Sequence, residues 1–147
     1  MAFSVIASAD EQATYAPGKV VYDFSSPDPQ VLAHLLDRAS LLQNHYGNNP
    51  FDASIVIVVH EGAIPMFAST NPDADVDVMR RAASLVMGEV IQFRLCRASA
   101  RMQGFGGGDF HDFITLVPMA DAEIVRLQRA QVMPILTDEF SRMRVGG

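Results

Sequence analysis

Cys96 is the only cysteine in the sequence, and it stands where a short apolar run, residues 90–96, meets a predicted helical turn that carries Arg97 and Arg101. The unpaired N–H groups and the dipole of a helix start favour negative charge, and cationic side chains add to that preference. Because the thiolate is the reactive form, these surroundings predict a lowered thiol pKa and a nucleophilic Cys96 in a site lined by the two arginines. A lone cysteine after an apolar strand is also typical of a small buried core residue, so both interpretations stay open.

His60, Glu61 and Gly62 form a second place where reactive or binding groups could stand at the end of a strand. They follow residues 53–59, a mostly β-branched run that predicts a strand covered on both faces of a parallel sheet. Ligands of open α/β sheets gather beyond the carboxyl ends of the strands. We therefore expect these three residues to line the same cleft as Cys96, although the strand order does not follow from the sequence.

Asp73, Asp75 and Asp77 are a weaker candidate for a cation site. They are crowded into a predicted helix start, where negative charge is favoured. The segment lacks the glycine and the terminal glutamate of a calcium-binding loop. We interpret it as a solvated helix start and predict no metal site there.

The glycine-rich segment 103–112 and the segment after the first strand are the candidates for cofactor binding. Segment 103–112 lacks the lysine and the following helix of a phosphate-binding loop, so its Asp109, His111 and Asp112 are interpreted as solvated loop residues. A flavodoxin-like flavin site would need amide donors in residues 25–29, where two prolines remove donors and an aspartate adds negative charge. We therefore predict no bound cofactor.

The elements that would position these residues alternate between strand and helix along the chain. Hydrophobic residues make up 49% and charged residues 19% of the sequence, which is typical of a folded domain. The patterns predict strands at 19–24, 53–59, 90–96, 114–117 and 132–136, with helices at 27–46 (N-cap Ser26), at 73–88 and at 120–131. Such alternation predicts a three-layer α/β/α fold with a mostly parallel, five-stranded sheet.

The predicted single domain spans residues 19–137, with an exposed lead-in at 1–18 and a tail at 138–147. The helical period predicts a set of buried residues on the second and the last long helix, namely Val76, Met79, Ala83, Val86, Ile124, Val125 and Leu127.

Composition and charge exclude several classes of function. One cysteine cannot form an internal disulfide or, by itself, a zinc site, and a net charge of −6 argues against a nucleic-acid partner. No run of 18 apolar residues predicts a membrane span. A cytoplasmic protein is expected, or a periplasmic one if Ala7-Ser8-Ala9 is the remnant of a cleavage site.

Several short motifs, in this order and spacing, give the sequence its resemblance to a known family. They are Lys19-Val20-Val21-Tyr22, Gln43-Asn44-His45, Ile57-Val58-Val59-His60-Glu61-Gly62, Phe93-Arg94-Leu95-Cys96, Val117-Pro118 and Ala122-Glu123-Ile124-Val125-Arg126-Leu127-Gln128. Together they resemble the DsrE/DsrF-like proteins, including the YchN-like members, over roughly residues 19–136. Two features depart from the family pattern: Arg129-Ala130-Gln131 replaces the usual Gly-Tyr, and residues 104–108 form a glycine-rich insertion.

The resemblance implies a small α/β protein of flavodoxin-like topology that assembles into homo-oligomers, commonly trimers or hexamers. In relatives of this kind a cysteine carries sulfur as a persulfide, and Cys96 matches that cysteine while His60 falls at the family's strand-end position. The function it implies is that of a sulfur carrier or sulfurtransferase-like protein, whose partners are donor and acceptor proteins or small polysulfides. The alternative is a non-catalytic oligomeric binding module in which Cys96 is structural.

Overall fold

The computed structural model describes residues 15–131 and 135–137, which form a five-stranded parallel sheet with helices on both faces. The strands are β1 (Lys19–Phe24), β2 (Ser54–Val59), β3 (Ile91–Cys96), β4 (Ile114–Val117) and β5 (Ile135–Thr137), in the order β4-β3-β2-β1-β5. The helices are α1 (Pro29–Tyr46), α2 (Val76–Val86), α3 (Arg97–Met102) and α4 (Ala120–Gln131), with 3-10 helices at Glu61–Phe67 and Gly107–Asp109. The predicted α/β class with a parallel sheet is confirmed.

The strand order explains why the helices lie on both faces of the sheet. From β1 to β4 the chain advances in one direction across the sheet, and it then returns past β1 to β5. Because parallel crossover connections are right-handed, reversing the direction of travel moves the connecting helix to the opposite face. Helices α1 and α2 therefore cover one face, and α4 packs on the other against β1, β2 and β3.

The larger core lies between the sheet and helices α1 and α2. At its centre Phe67 packs against Phe24 and Phe93, with ring centroids 6.3 and 5.4 Å apart. All three side chains are at most 1% exposed. Burying an aromatic ring of this size contributes about 1.5–3 kcal/mol. This cluster also contains many more buried side chains than the one on the other face of the sheet, so it supplies the larger part of the hydrophobic stabilisation of the described residues.

A smaller core lies beneath α4 and reaches the carboxyl end of the sheet. It consists of alternate residues of the central strands together with the inner face of α4, namely Val21, Val56, Val58, Cys96, Ala120, Ile124 and Leu127. Both faces of β2 are therefore covered, as its unbroken apolar run indicates. Cys96 belongs to this core, so α4 determines what surrounds the thiol.

Helix α1 begins two residues later than predicted, at Pro29. Its N-cap is Asp28, whose carboxylate accepts a hydrogen bond from the Gln30 N–H (2.9 Å), while the hydroxyl of Ser26 accepts one from the Asp28 N–H. A residue before proline is driven out of the α region, which prevents Asp28 from being helical and places the helix start at the second proline. The predicted end is confirmed: Gly47 caps the helix with φ +89°.

Helix α2 also starts later than predicted, after the N-cap Asp75, and it ends at Val86 rather than at Gly88. Val76 is its first residue and is 64% exposed, so its predicted place in the core was wrong; Val78 is buried instead. On α4 the predicted burial of Val125 was also wrong, because its side chain lies on the outer face and is 43% exposed. Ile124 and Leu127 are buried, as predicted.

Strand β5 forms the edge of the sheet beside β1. The predicted strand 132–136 overlaps it, but residues 132–134 lie outside the described residues. Most of the predicted lead-in, residues 1–14, and the whole predicted tail, residues 138–147, lie outside them as well.

Candidate functional site

The thiol of Cys96 lies at the start of two helices. Cys96 is both the last residue of β3 and the N-cap of α3, and its Sγ accepts a hydrogen bond from the Ser99 N–H at 3.4 Å. Ala120, the first residue of α4, donates a second N–H to the same sulfur at 3.3 Å. Helix starts leave N–H groups unpaired, and the sulfur satisfies one from each helix.

Hydrogen bonding determines the direction in which the pKa of Cys96 moves. Burial raises the pKa of the thiol, but the N–H and hydroxyl of Ser99 and the N–H groups of Ala120 and Ala98 favour the thiolate, and the pKa is lowered on balance. The groups responsible are N–H and O–H donors. Arg97 and Arg101 lie on exposed positions of α3. The arrangement can hold a sulfur anion without a metal or a bonded cation.

Cys96 is also a core residue, because it is only 3% exposed and packs in the cluster beneath α4. Reagents and partners can therefore reach the sulfur only through a narrow opening or after a local movement. Both interpretations of the sequence describe part of what the structure shows: the thiol is buried, and it is polarised by hydrogen bonds.

His60 follows β2 directly, and its Nε2 contacts a carboxylate oxygen of Asp23, which lies on β1. The hydrogen bond to Asp23 raises the pKa of His60, burial lowers it, and the charges of Asp23, Glu61 and Asp121 raise it further, so that the pKa is raised on balance. Asp23 was missed in the sequence because it lies inside a strand pattern. Its signal was a carboxylate at the carboxyl end of an otherwise apolar strand.

His60 and Cys96 come to the same edge of the sheet. Strands β2 and β3 are neighbours and pair Val59 with Leu95, so the next residues, His60 and Cys96, stand at one level. Val58 shares the cluster of Cys96 beneath α4, and side chains of a strand alternate between faces, so His60 belongs to that face too. The start of α4 acts on both side chains, since Ala120 donates to Cys96 and the charge of Asp121 acts on His60.

Glu61 turns the chain away from β2 in a left-handed conformation, with φ +53°. Such a φ is costly for a non-glycine residue and persists only where the surroundings hold it. Ser99 of α3 and Gln103, the C-cap of that helix, do so: the Glu61 N–H donates to the hydroxyl of Ser99 (3.3 Å), and the side-chain amide of Gln103 donates to the Glu61 carbonyl (2.7 Å). Ser99 thus links the turn after β2 to the sulfur of Cys96.

Gly62 lets this turn pack against the segment that follows β1. A Cβ at this position would lie 3.1 Å from the Ser25 carbonyl oxygen and 3.4 Å from Pro27. The glycine therefore permits a close backbone contact, and nothing in its surroundings identifies it as a ligand-binding residue.

A charge cluster beside the site anchors α4 on β3. The Glu123 carboxylate is 8% exposed and accepts hydrogen bonds from Arg94 of β3 (2.8 Å) and from Arg126 of α4, whose Nε lies 3.0 Å away. The bond from Arg126 lowers the pKa of Glu123, burial raises it, and the bond from Arg94 lowers it, with a lowered value on balance. The cluster was missed in the sequence, where its signals were an arginine within a strand and a Glu–Arg pair three residues apart.

The other polar candidates stand apart from this edge. Within 15–131 and 135–137, no group of three His, Cys, Asp or Glu side chains is arranged to hold a metal ion. In the glycine-rich segment the carboxylate of Asp109 accepts the Gly106 N–H (2.6 Å), and the ring of His111 stacks on Phe113. His111 and Asp112 line a mostly apolar groove of about 590 Å³ next to α2.

Comparison with solved structures identifies the fold. The chain is similar to the MTH1491 protein of Methanobacterium thermoautotrophicum, a protein of unknown function, with a TM-score of 0.68, 18% identity, and coverage of 82% of this chain and 98% of that one. It is also similar to the ychN protein of E. coli, with a TM-score of 0.60, 12% identity, and coverage of 84% and 99%. The chain has the fold of these two proteins. No protein-family model and no curated protein sequence matches it.

The YchN likeness supports the DsrE-like fold that the sequence motifs indicate. At these identities the likeness concerns the fold alone, and the chemistry has to be argued from this chain's own residues. Among the described residues, no helix is both long enough and apolar enough to cross a bilayer.

Proposed function

We propose that this protein carries sulfur as a persulfide on Cys96 and passes it to a partner. One observation carries the proposal: the Cys96 sulfur accepts N–H groups from the starts of two helices, which lowers the pKa of the thiol. The sequence resemblance to DsrE/DsrF-like proteins and the YchN-like fold support it. Assembly into a trimer or hexamer and a cytoplasmic location belong to the same proposal.

The transfer is an exchange between sulfur atoms that needs no outside oxidant or reductant. The Cys96 thiolate attacks the outer sulfur of a donor persulfide, R–S–SH, so that a new S–S bond forms on Cys96 while the donor's S–S bond breaks. The bonding electrons leave with the donor as R–S⁻, which takes up a proton from water. An acceptor thiolate then attacks the outer sulfur on Cys96 and regenerates the Cys96 thiolate.

Each group of the site has a role in this exchange. The amides of Ser99 and Ala120 stabilise the anionic sulfur before attack and after release. The exposed side chains of Arg97 and Arg101 attract anionic donors such as polysulfides towards α3. The turn formed by Glu61 and Gly62 holds one wall of the site against α3.

Intact-protein mass spectrometry without reducing agent tests the proposal directly. After brief exposure to polysulfide, the protein should gain the mass of one or more sulfur atoms, and dithiothreitol should remove them. The matched variant Cys96→Ser should gain none and still fold, because serine is a strong N-cap and can accept the same N–H. Sulfur loading of that variant, or none on the native protein, would refute the proposal.

A structural role for Cys96 is the second candidate, and the 3% exposure of this residue favours it. In that case the protein is an oligomeric binding module, and the thiol should resist iodoacetamide until the chain is unfolded in urea. Rapid alkylation of the native protein at neutral pH would exclude a purely structural role.

A further inference from the structure

Asp23, His60 and Cys96 stand at the carboxyl ends of three neighbouring strands, β1, β2 and β3. We propose that the Asp23–His60 pair supplies the positive charge that stabilises the sulfur anion on Cys96. This inference rests on the proposed sulfur-carrier function and assigns the electrostatic partner of that site. His60 acts through its charge and Asp23 acts through His60, so both are positioning residues.

The strand register is the first observation that brings the two side chains together. His60 and Cys96 each follow the Val59–Leu95 pair by one residue, and adjacent strands lie about 4.8 Å apart. Both side chains belong to the face beneath α4, as the place of Val58 in the cluster of Cys96 indicates. A positive charge on a neighbouring side chain favours the charged form of a thiol.

The start of α4 is the second, independent observation. Ala120 donates its N–H to the sulfur of Cys96, and the carboxylate of the next residue, Asp121, acts on the charge of His60. Two consecutive residues at the start of one helix therefore act on the two side chains, Ala120 through a hydrogen bond and Asp121 through its charge. The hydroxyl of Ser99 gives a further link, because it bonds to the turn after His60 and also acts on the thiol.

The carboxylates around His60 explain why a positive charge belongs there. Asp23 of β1 bonds to His60 and has the largest effect on its pKa, and the charges of Glu61 in the 3-10 helix and Asp121 of α4 raise that pKa further. The raised pKa keeps His60 protonated to higher pH, which places a positive charge at the strand end next to Cys96.

The same charge is useful at both stages of the transfer. Cys96 carries an anionic sulfur before it attacks the donor persulfide and again after the acceptor has removed the outer sulfur. A nearby imidazolium lowers the free energy of that anion without forming or breaking a bond. Thiolate and imidazolium titrate as a coupled pair, so the loading rate should pass through a maximum as pH rises.

The test is an ultraviolet titration of the thiolate, from which the titration of Cys96→Ser is subtracted to remove the absorbance of the three tyrosines. The difference reports on Cys96, because the chain has one cysteine. We expect the fraction of thiolate at neutral pH to fall about tenfold in His60→Gln. The matched control His34→Gln removes an exposed histidine of α1 and should titrate like the native protein. In Asp23→Asn the imidazole loses its proton at lower pH, so the fraction of thiolate at neutral pH should fall towards that of His60→Gln, and Asp23→Glu should restore it.

A reciprocal measurement remains valid even if His60→Gln fails to fold. Coupling between two groups is mutual, so replacing the thiol in Cys96→Ser should lower the pKa of His60, read from its ring protons by nuclear magnetic resonance. An unchanged His60 titration in Cys96→Ser, or an unchanged thiolate titration in His60→Gln, would overturn the inference. Loading with polysulfide in the same samples separates the two proposals: a native protein that titrates as expected but never gains sulfur refutes the carrier function and leaves the charge pair intact.

Discussion

Ala120 donates its backbone N–H to the sulfur of Cys96 across 24 residues of chain, at a distance of 3.3 Å. This bond joins the end of β3 to the start of α4, so the helix that closes the small core also polarises the thiol. The Glu123 cluster, one helical turn further on, fixes that helix to Arg94 of β3. The reactivity of Cys96 is thus coupled to the packing of α4.

The thiol of Cys96 should contribute to stability as the N-cap of α3. We expect Cys96→Ala to lower the free energy of unfolding by about 1–2 kcal/mol, because the Ser99 and Ala120 N–H groups lose their acceptor. Cys96→Ser should lower it less, since its hydroxyl can accept the same bonds. Urea unfolding followed by circular dichroism measures both; equal losses would show that packing alone stabilises this position.

The strand-to-helix junction at Cys96 was predictable because both signals, an apolar run and a helical turn, are local in sequence. The hydrogen bond from Ala120 could not be predicted, because it depends on the strand order and on which face of the sheet α4 covers. Asp23 lies inside a strand pattern, and its partner His60 is 37 residues away, just after β2, so the pair could not be predicted either.

The errors in the helices have local causes. Asp28 precedes a proline and cannot be helical, which moves the start of α1 past Ser26 and Pro27. Val76 fits the apolar period of α2, but as the first residue of the helix it lies beyond the part that packs on the sheet. The apolar period of a sequence identifies which face of a helix is buried, but it does not show at which residue the helix begins to pack on the sheet.

Glu123 should make the protein sensitive to acid. Its pKa is lowered in the folded state, so its contribution is fully present above the unfolded pKa of about 4.3 and is lost as pH falls through the folded pKa. We expect Glu123→Gln to lose about 1–3 kcal/mol at pH 7 and to show a flatter dependence of stability on pH below about 4. The exposed pair of Asp77 and Arg80 provides the control: Asp77→Asn should leave stability unchanged. An equal loss in both variants would contradict the role assigned to Glu123.

Gly62 should not tolerate a side chain. In Gly62→Ala the new methyl would lie 3.1 Å from the Ser25 carbonyl oxygen, and the turn after β2 would have to shift, at a cost of about 1–3 kcal/mol. Gly108→Ala is the matched control, because no atom lies within 4 Å of a methyl built there. Thermal unfolding of both variants measures the difference. If Gly62→Ala were as stable as the control, the close contact with the segment after β1 would not restrict the side chain at this position.

Arg97 and Arg101 should affect anionic donors and leave neutral reagents unaffected. Both are exposed on α3, beside the buried thiol, so their charge acts through solvent and is screened by salt. We expect Arg97→Gln with Arg101→Gln to slow sulfur loading from polysulfide by about threefold to tenfold at low ionic strength, with the difference shrinking as salt is added. Alkylation by uncharged iodoacetamide should proceed at the native rate, and Arg80→Gln on α2 should change neither reaction. A loss of equal size with both reagents would mean that the arginines shape the opening to Cys96 rather than attract its donor.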